Sequence, residues 1–344
     1  MDFNAKRQES RKDKLDDIFK KRNIRFAVFD AMEDTDYDPN KEVLGPDWLD
    51  ANVHKWKTGE MLGILSGPGI GKTTLSLLIL KEVIRNHLKA GRRIYNVFVS
   101  LEMSYEEIME KWLKATEDCE EVREFLIIID NYNEDGTCKS MTVSDIKLDL
   151  KLIKDHLDGD LKLICLDHLH EVNNQGLSDY NKVCEELRNL TKELDVFMIV
   201  QSQTTKEKGL GDIPVPRNGC YGTSRFENLM TYIITIFQPL RRVQNECDLP
   251  ALGWQYCKIR FKNKQDKIKE EVNYVKKFNF ETEGLDNLTP DEITLFSMYY
   301  EKVLEMRENE EKKKAYSFDL STTIKGKDGR EVKLTRIVGG KSEE

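Results

Sequence analysis

The chain has 344 residues and a formal net charge of −8, with 34% charged and 39% apolar residues. That size holds one large or two small domains around a sizeable core, and the acidic balance excludes a wholly basic, chromatin-like protein while leaving room for a local basic track. The 7 cysteines lack CxxC or zinc spacing and read as reduced thiols of a cytoplasmic protein, and neither a signal peptide nor a stretch near the ~18 apolar residues of a membrane span is visible, so no membrane partner is expected.

Residues 1–47 are polar. Arg11 to Arg22 has the charge pattern of a surface helix with few apolar positions (Leu15, Ile18, Phe19), and such a helix anchors weakly by itself. Met32 to Pro46 is acidic and turn-like, the composition of a linker, and a compact domain is expected over 48–285. There strands and helices alternate, as in an α/β parallel sheet. Met61 to Ser66 is a strand, and Leu75, Leu77, Leu78, Leu80 and Val83 recur at helical spacing up to about Lys89, where Gly91 stops the helix. Arg93 to Leu101 carries the next strand. Ser104 and Glu107 form a capping box that starts a helix at Tyr105. Phe125 to Asp130 is a strand, Thr142 to Leu157 a helix, Leu161 to Asp167 a strand, Tyr180 to Leu194 a helix and Val196 to Gln201 a strand. After a loop over 204–222, Met230 to Phe237 is β-branched. Trp254 to Lys262 and Glu271 to Phe280 read as paired edge strands with a polar tip at Asn263 to Lys269. Over 286–344, Pro290 to Lys314 reads as a charged helix with the stripe Ile293, Phe296, Met298, Tyr299 and Val303, followed by a hairpin around Lys327, Asp328 and Gly329.

The chemistry begins between the first strand and helix. Gly67, Pro68, Gly69, Ile70, Gly71, Lys72, Thr73 and Thr74 match G-x-x-x-x-G-K-[ST] in its required strand–loop–helix setting. Glycines let successive N–H groups turn onto phosphate oxygens, and the helix N-terminus adds positive character there. Lys72 is placed to reach the β- and γ-phosphates of ATP and Thr73 to ligate Mg2+. In open parallel sheets ligands sit beyond the carboxyl ends of the strands, so the residues at those ends matter. Glu102 follows the second strand, as a candidate base for the attacking water or as a solvated turn carboxylate. Two strands end in aspartate. Asp167 is the choice for the magnesium carboxylate, since one suffices for that ion; Asp130 reads better as a strand-end cap. Gln203 closes a further strand and is a candidate γ-phosphate sensor. Lys206, Lys208 and Arg217 lie in the glycine- and proline-bearing loop, as phosphate contacts or as a solvated basic surface. Lys258 and Arg260 share a strand face, either as cations acting on a neighbouring subunit's γ-phosphate or as ordinary edge charges.

In order, Gly-Pro-Gly-Ile-Gly-Lys-Thr-Thr, Ser-Leu-Glu-Met, Leu-Ile-Cys-Leu-Asp-His-Leu, Val-Gln-Ser-Gln and Lys-Ile-Arg resemble the RecA-type motor domain of DnaB-family replicative helicases. Phe98 to Met103, Asn189 to Asp195, and Gly222 to Leu229 followed by Ile233 to Ile236 are similar to the helicase half of phage primase-helicases. The resemblance covers about 48–285. It implies an α/β, RecA-like P-loop NTPase fold with a mostly parallel central sheet and an antiparallel edge extension. It implies an ATP-dependent DNA helicase moving on single-stranded DNA, with Glu102 as base, Asp167 on magnesium, Gln203 as sensor, and Lys258 and Arg260 acting in trans. Lys206, Lys208 and Arg217 would face DNA. A homo-hexameric ring follows, with Arg11 to Arg22 docking on a neighbour and a primase and a helicase loader as further partners. The chain departs from the pattern in having only a short segment before the motor, Thr231 where the phage enzymes tend to carry aspartate, a more charged tip at Asn263 to Lys269, and an unfamiliar tail. A recombination ATPase of the same core and a nucleotide-gated loading protein with little turnover remain as other readings.

Overall fold

The computed structural model describes residues 38–49, 56–133, 136–172, 180–204, 211–221, 223–259, 273–282, 284–316, 320–325 and 331–336. The Arg11 to Arg22 helix, the tip Asn263 to Lys269, and Lys206, Lys208 and Arg260 lie outside those residues. The chain divides after Asn40, and the unit from Lys41 onward is the one described here.

Its frame is a nine-stranded sheet: β1 (Met61–Ser66), β2 (Ile94–Ser100), β3 (Leu126–Asp130), β4 (Asp160–Asp167), β5 (Phe197–Gln203), β6 (Tyr232–Phe237), β7 (Ala251–Ile259), β8 (Asn273–Asn279) and β9 (Gly284–Asp286), in the order β3-β2-β4-β5-β1-β6-β7-β8-β9. The first six in that order pair in parallel. The last three extend the edge antiparallel, because hairpin connections replace helical crossovers there. This is a mixed α/β sheet with an antiparallel edge, as the resemblance implied.

Helices cover both faces: α1 (Lys72–Lys89), α2 (Tyr105–Ala115), α3 (Val143–His156), α4 (Tyr180–Leu194) and the short α5 (Arg225–Leu229). Strand side chains alternate between faces, and β1 shows what that does. Leu62 and Ile64 join one core with Leu75, Ile79 and Val83 of α1 and Trp112 of α2. Met61 and Leu65 join the other with Ile146 of α3 and Leu187 of α4. Burial on both faces accounts for the near-continuous apolar strands. Gly63 is needed where α5 crosses β1, since a Cβ there would stand 2.6 Å from the Phe226 ring.

The capping box at α2 is present, with Ser104 Oγ accepting from Glu107 N–H and Glu107 accepting from Ser104 N–H. Within the segment read as linker, Val43 is buried and its N–H donates to the Trp56 carbonyl at 2.8 Å. Trp56 stacks on Phe197 with centroids 4.7 Å apart.

Beyond the sheet runs α6 (Pro290–Tyr316). Its expected stripe is only partly a core face. Phe296, Tyr299 and Val303 pack with Leu240, Val243 and Leu249, whereas Ile293 and Met298 are exposed. The helix rests on the β6–β7 connection through one narrow seam, so a stripe as wide as the apolar positions suggest has no second surface to cover. Asp212, fully buried, fixes this seam by pairing with Arg242 of that connection and Arg307 of α6. Last come β10 (Leu320–Lys325) and β11 (Glu331–Arg336), paired antiparallel.

Candidate active site

The loop between β1 and α1 lies at the carboxyl edge of the parallel strands. Gly69 and Gly71 have φ of +70° and +109°, the left-handed region where a side chain is disfavoured. No side chain caps the start of α1. The first N–H groups of an 18-residue helix therefore remain available to an anion. Lys72, almost buried, donates from Nζ to the Gly67 carbonyl (3.1 Å) and to Ser66 Oγ (3.3 Å). Burial lowers its pKa, while the carboxylates of Asp167 and Glu102 oppose that shift.

Sheet order brings the other candidates to this loop. Ser66 of β1 is level with Gln203 of β5, and Ser100 of β2 is level with Asp167 of β4. Thr73 Oγ1 donates to Asp167 Oδ2 at 2.6 Å. Asp167 is 1% exposed, and burial raises its pKa, opposed first by the Thr73 hydrogen bond. An adjacent hydroxyl and carboxylate are hard oxygen donors that suit Mg2+, which keeps most of its remaining ligands as water and phosphate. Among the described residues no cluster of three or more His, Cys, Asp or Glu side chains could hold a metal alone, so an ion here would need the nucleotide as co-ligand.

Glu102 stands just past β2 with its side chain 55% exposed. Between Glu102 and Gln203 sits His168, a residue that strand-end reasoning passed over. It is buried, with Nε2 2.7 Å from Gln203 Nε2 and 3.6 Å from a Glu102 carboxylate oxygen. Only the sheet order β2-β4-β5 reveals this contact; the Asp167-His168 dipeptide was its sole sequence signal. Asp130 is elsewhere: it accepts the Tyr105 N–H at 2.8 Å, which is the strand-end cap expected of it.

Beside Gly69, Ile70, Gly71 and Thr74 opens a cavity of about 310 Å³, walled by Leu240, Arg241, Leu252, Phe278 and Phe280. Gly211, where the chain re-enters after the loop beyond β5, closes against it. A Cβ at Gly211 would be 2.5 Å from Ile70 Cδ1.

The remaining candidates are away from this edge. Arg217 pairs with Glu227 of α5 at 2.9 Å, and the Lys258 ammonium donates to the Glu227 backbone carbonyl. Lys258 is level with Ile233, itself level with Gly63. It is therefore two strands across from β1 and short of the phosphate loop. The structure thus brings together Lys72, Thr73, Glu102, Asp167 and Gln203, and leaves Lys258 and Arg217 outside that group.

A doubly wound parallel sheet with a phosphate loop after one strand, and carboxylates and an amide closing its neighbours, is the RecA-like NTPase arrangement. Two solved structures share it. The ATPase domain of a helicase superposes with a TM-score of 0.52 at 16% identity, over 68% of this chain and 86% of that one. A DnaB-like replicative helicase, described with its interactions with primase, superposes with a TM-score of 0.53 at 16% identity, over 67% of this chain and 58% of that one. This chain thus spans little more than half of the second protein's length. The fold is that of DnaB-type helicase motor domains. No protein-family model matches the sequence, and no curated protein matches it. Among the described residues no helix is long and apolar enough to cross a membrane.

Proposed function

We propose that the chain is an ATP-hydrolysing motor of DnaB type, moving on single-stranded DNA and unwinding duplex during replication. The observation that carries this reading is the convergence of Thr73, Asp167, Glu102 and Gln203 on one phosphate loop, from four separate strand ends, in a fold shared with two helicase motors.

The loop N–H groups and the α1 N-terminus cradle the phosphates of ATP, and Lys72 leaves its intraloop partners for the β- and γ-oxygens. The nucleoside enters the adjoining cavity, where Phe278 and Phe280 offer ring surface and Arg241 a cation. Thr73 and Asp167 hold Mg2+, which when bound neutralises phosphate charge. Glu102 takes a proton from a water in line with the γ-phosphorus. That water's oxygen bonds to phosphorus, the bond to the β–γ bridging oxygen breaks, and ADP and phosphate result. Gln203 reports the terminal phosphate to the loop it begins. Lys206, Lys208 and Arg217 of that loop serve DNA phosphates, and Lys258 and Arg260 complete the site of the next subunit in a homo-hexameric ring. Arg11 to Arg22 docks that neighbour, with a primase and a helicase loader as partners.

The test is Glu102→Gln. Removing a general base costs about 10²–10⁴-fold in rate, so ATP should bind normally and turnover should vanish. Retained steady-state hydrolysis would remove Glu102 from its role.

A further inference from the structure

His168 has two neighbours and one nitrogen with which to serve them. Its Nε2 lies 2.7 Å from the Gln203 amide nitrogen, a hydrogen bond in which the amide donates and the ring accepts. The same Nε2 is 3.6 Å from the Glu102 carboxylate, beyond hydrogen-bond length. A carboxylate only accepts, so closing that gap requires Nε2 to carry a hydrogen. A neutral imidazole nitrogen cannot accept from Gln203 and donate to Glu102 together. The two partners therefore compete.

The surroundings sharpen the choice. The ring is 2% exposed, so water does not readily replace a lost partner. Among the described residues Nδ1 is buried without a hydrogen-bond partner, leaving the Nε2 side as the ring's one specific polar connection. The His170 ring meets it edge-on at 5.6 Å, which limits how far the imidazole can swing. Gln203 is in turn tied to the loop that follows it. Its carbonyl accepts the Tyr221 N–H at 3.1 Å, and Thr204 bridges to Cys220, so both ends of the 204–222 loop meet at this residue.

We propose that His168 is a positioning residue that couples Gln203 to Glu102. While the amide is on the imidazole, the Glu102 carboxylate lacks a donor to orient it. When the amide turns to a terminal phosphate, Nε2 is released to donate to Glu102 and set it for the water. The inference rests on the ATPase reading above, and it adds that base placement depends on the sensor's occupancy rather than on Glu102 alone.

The test is a double-mutant cycle in the full-length protein. His168→Leu removes the polar edge at similar bulk, His168→Gln restores an amide near the place of Nε2, and Gln203→Ala removes the other partner. Measured are kcat with and without single-stranded DNA, and the affinity for a fluorescent ATP analogue. His168→Leu should lower kcat about tenfold with analogue affinity unchanged, and His168→Gln should recover most of the loss. His168→Leu combined with Gln203→Ala should be no slower than the slower single variant, because residues acting as one unit are not additive. The stimulation by DNA should fall in both single variants. Multiplicative losses, or a parallel loss of analogue binding, would overturn the coupling and leave a packing role. If instead the wild type hydrolyses no ATP, the proposed function itself fails. If it hydrolyses ATP without responding to DNA, only the DNA reading fails, and the cycle is decided on basal kcat.

Discussion

Gly211 offers a quantitative test of how closely the loop after β5 is joined to the phosphate loop. Its φ is +81°, where an L-residue costs roughly 1–2 kcal/mol. A Cβ would stand 2.5 Å from Ile70 Cδ1 and 3.2 Å from Arg241 Nη1, and overpacking of that kind costs about 1–3 kcal/mol. Gly211→Ala should therefore destabilise by roughly 2–5 kcal/mol, a large share of a domain's usual 5–15 kcal/mol. Gly91 supplies the control. Its φ is +71°, yet a Cβ there meets nothing within 4 Å, so Gly91→Ala carries the backbone cost alone. Urea unfolding of both variants separates the two contributions. Because Ile70 belongs to the phosphate loop and is buried, displacing it should also weaken a fluorescent ATP analogue about tenfold, equivalent to ~1.4 kcal/mol. Gly91→Ala should bind it normally. Equal stabilities for the two variants, with analogue binding intact in both, would refute the claimed contact.

Burial, with smaller help from Lys162 and Arg92, holds the His87 pKa at about 3 against an ordinary 6.5, and its Nε2 accepts the Leu44 N–H at 3.0 Å. The unfolded chain thus binds the extra proton first: this contribution is complete above pH 6.5 and is lost on acidification toward pH 3, at up to about 1.4 kcal/mol per unit. The urea midpoint should fall less steeply between pH 7 and 5 in His87→Gln than in wild type; parallel curves would contradict this. Arg260→Ala should abolish hydrolysis in the assembled protein, and mixing with Lys72→Ala subunits should partly restore it, since each variant supplies the half the other lacks; no recovery would argue against action in trans. Thr73→Val should weaken magnesium-dependent nucleotide binding at least tenfold, and binding equally tight with and without Mg2+ would remove the Thr73–Asp167 pair from that role.

Local signals made the first half of the site legible. The apolar run before Gly67, the leucine spacing after Thr74 and the stop at Gly91 place β1 and α1 where the structure has them, Met61–Ser66 and Lys72–Lys89. Ser104 and Glu107 place α2 by the same kind of rule. Short elements left no periodic signal: α5 has five residues and β9 three, and neither was expected. Strand order was also hidden. His168 reads as one residue after a strand-end aspartate, and its place between Glu102 and Gln203 exists only because β4 lies between β2 and β5. The cavity beside the phosphate loop draws Ile70, Arg241 and Phe278 from segments far apart in the chain, so no local pattern announces it. Exposed Ile293 and Met298 show the converse: an apolar residue at helical spacing becomes core only if another surface is there to meet it.

The central claim is that this chain couples ATP hydrolysis to movement on DNA, and a forked-duplex unwinding assay addresses it directly. Wild type should separate the strands with ATP and Mg2+, hydrolyse ATP faster when single-stranded DNA is present, and lose both activities with Glu102→Gln while still binding nucleotide. An intact fork in the presence of vigorous ATP hydrolysis, or unwinding that survives Glu102→Gln, would contradict the account.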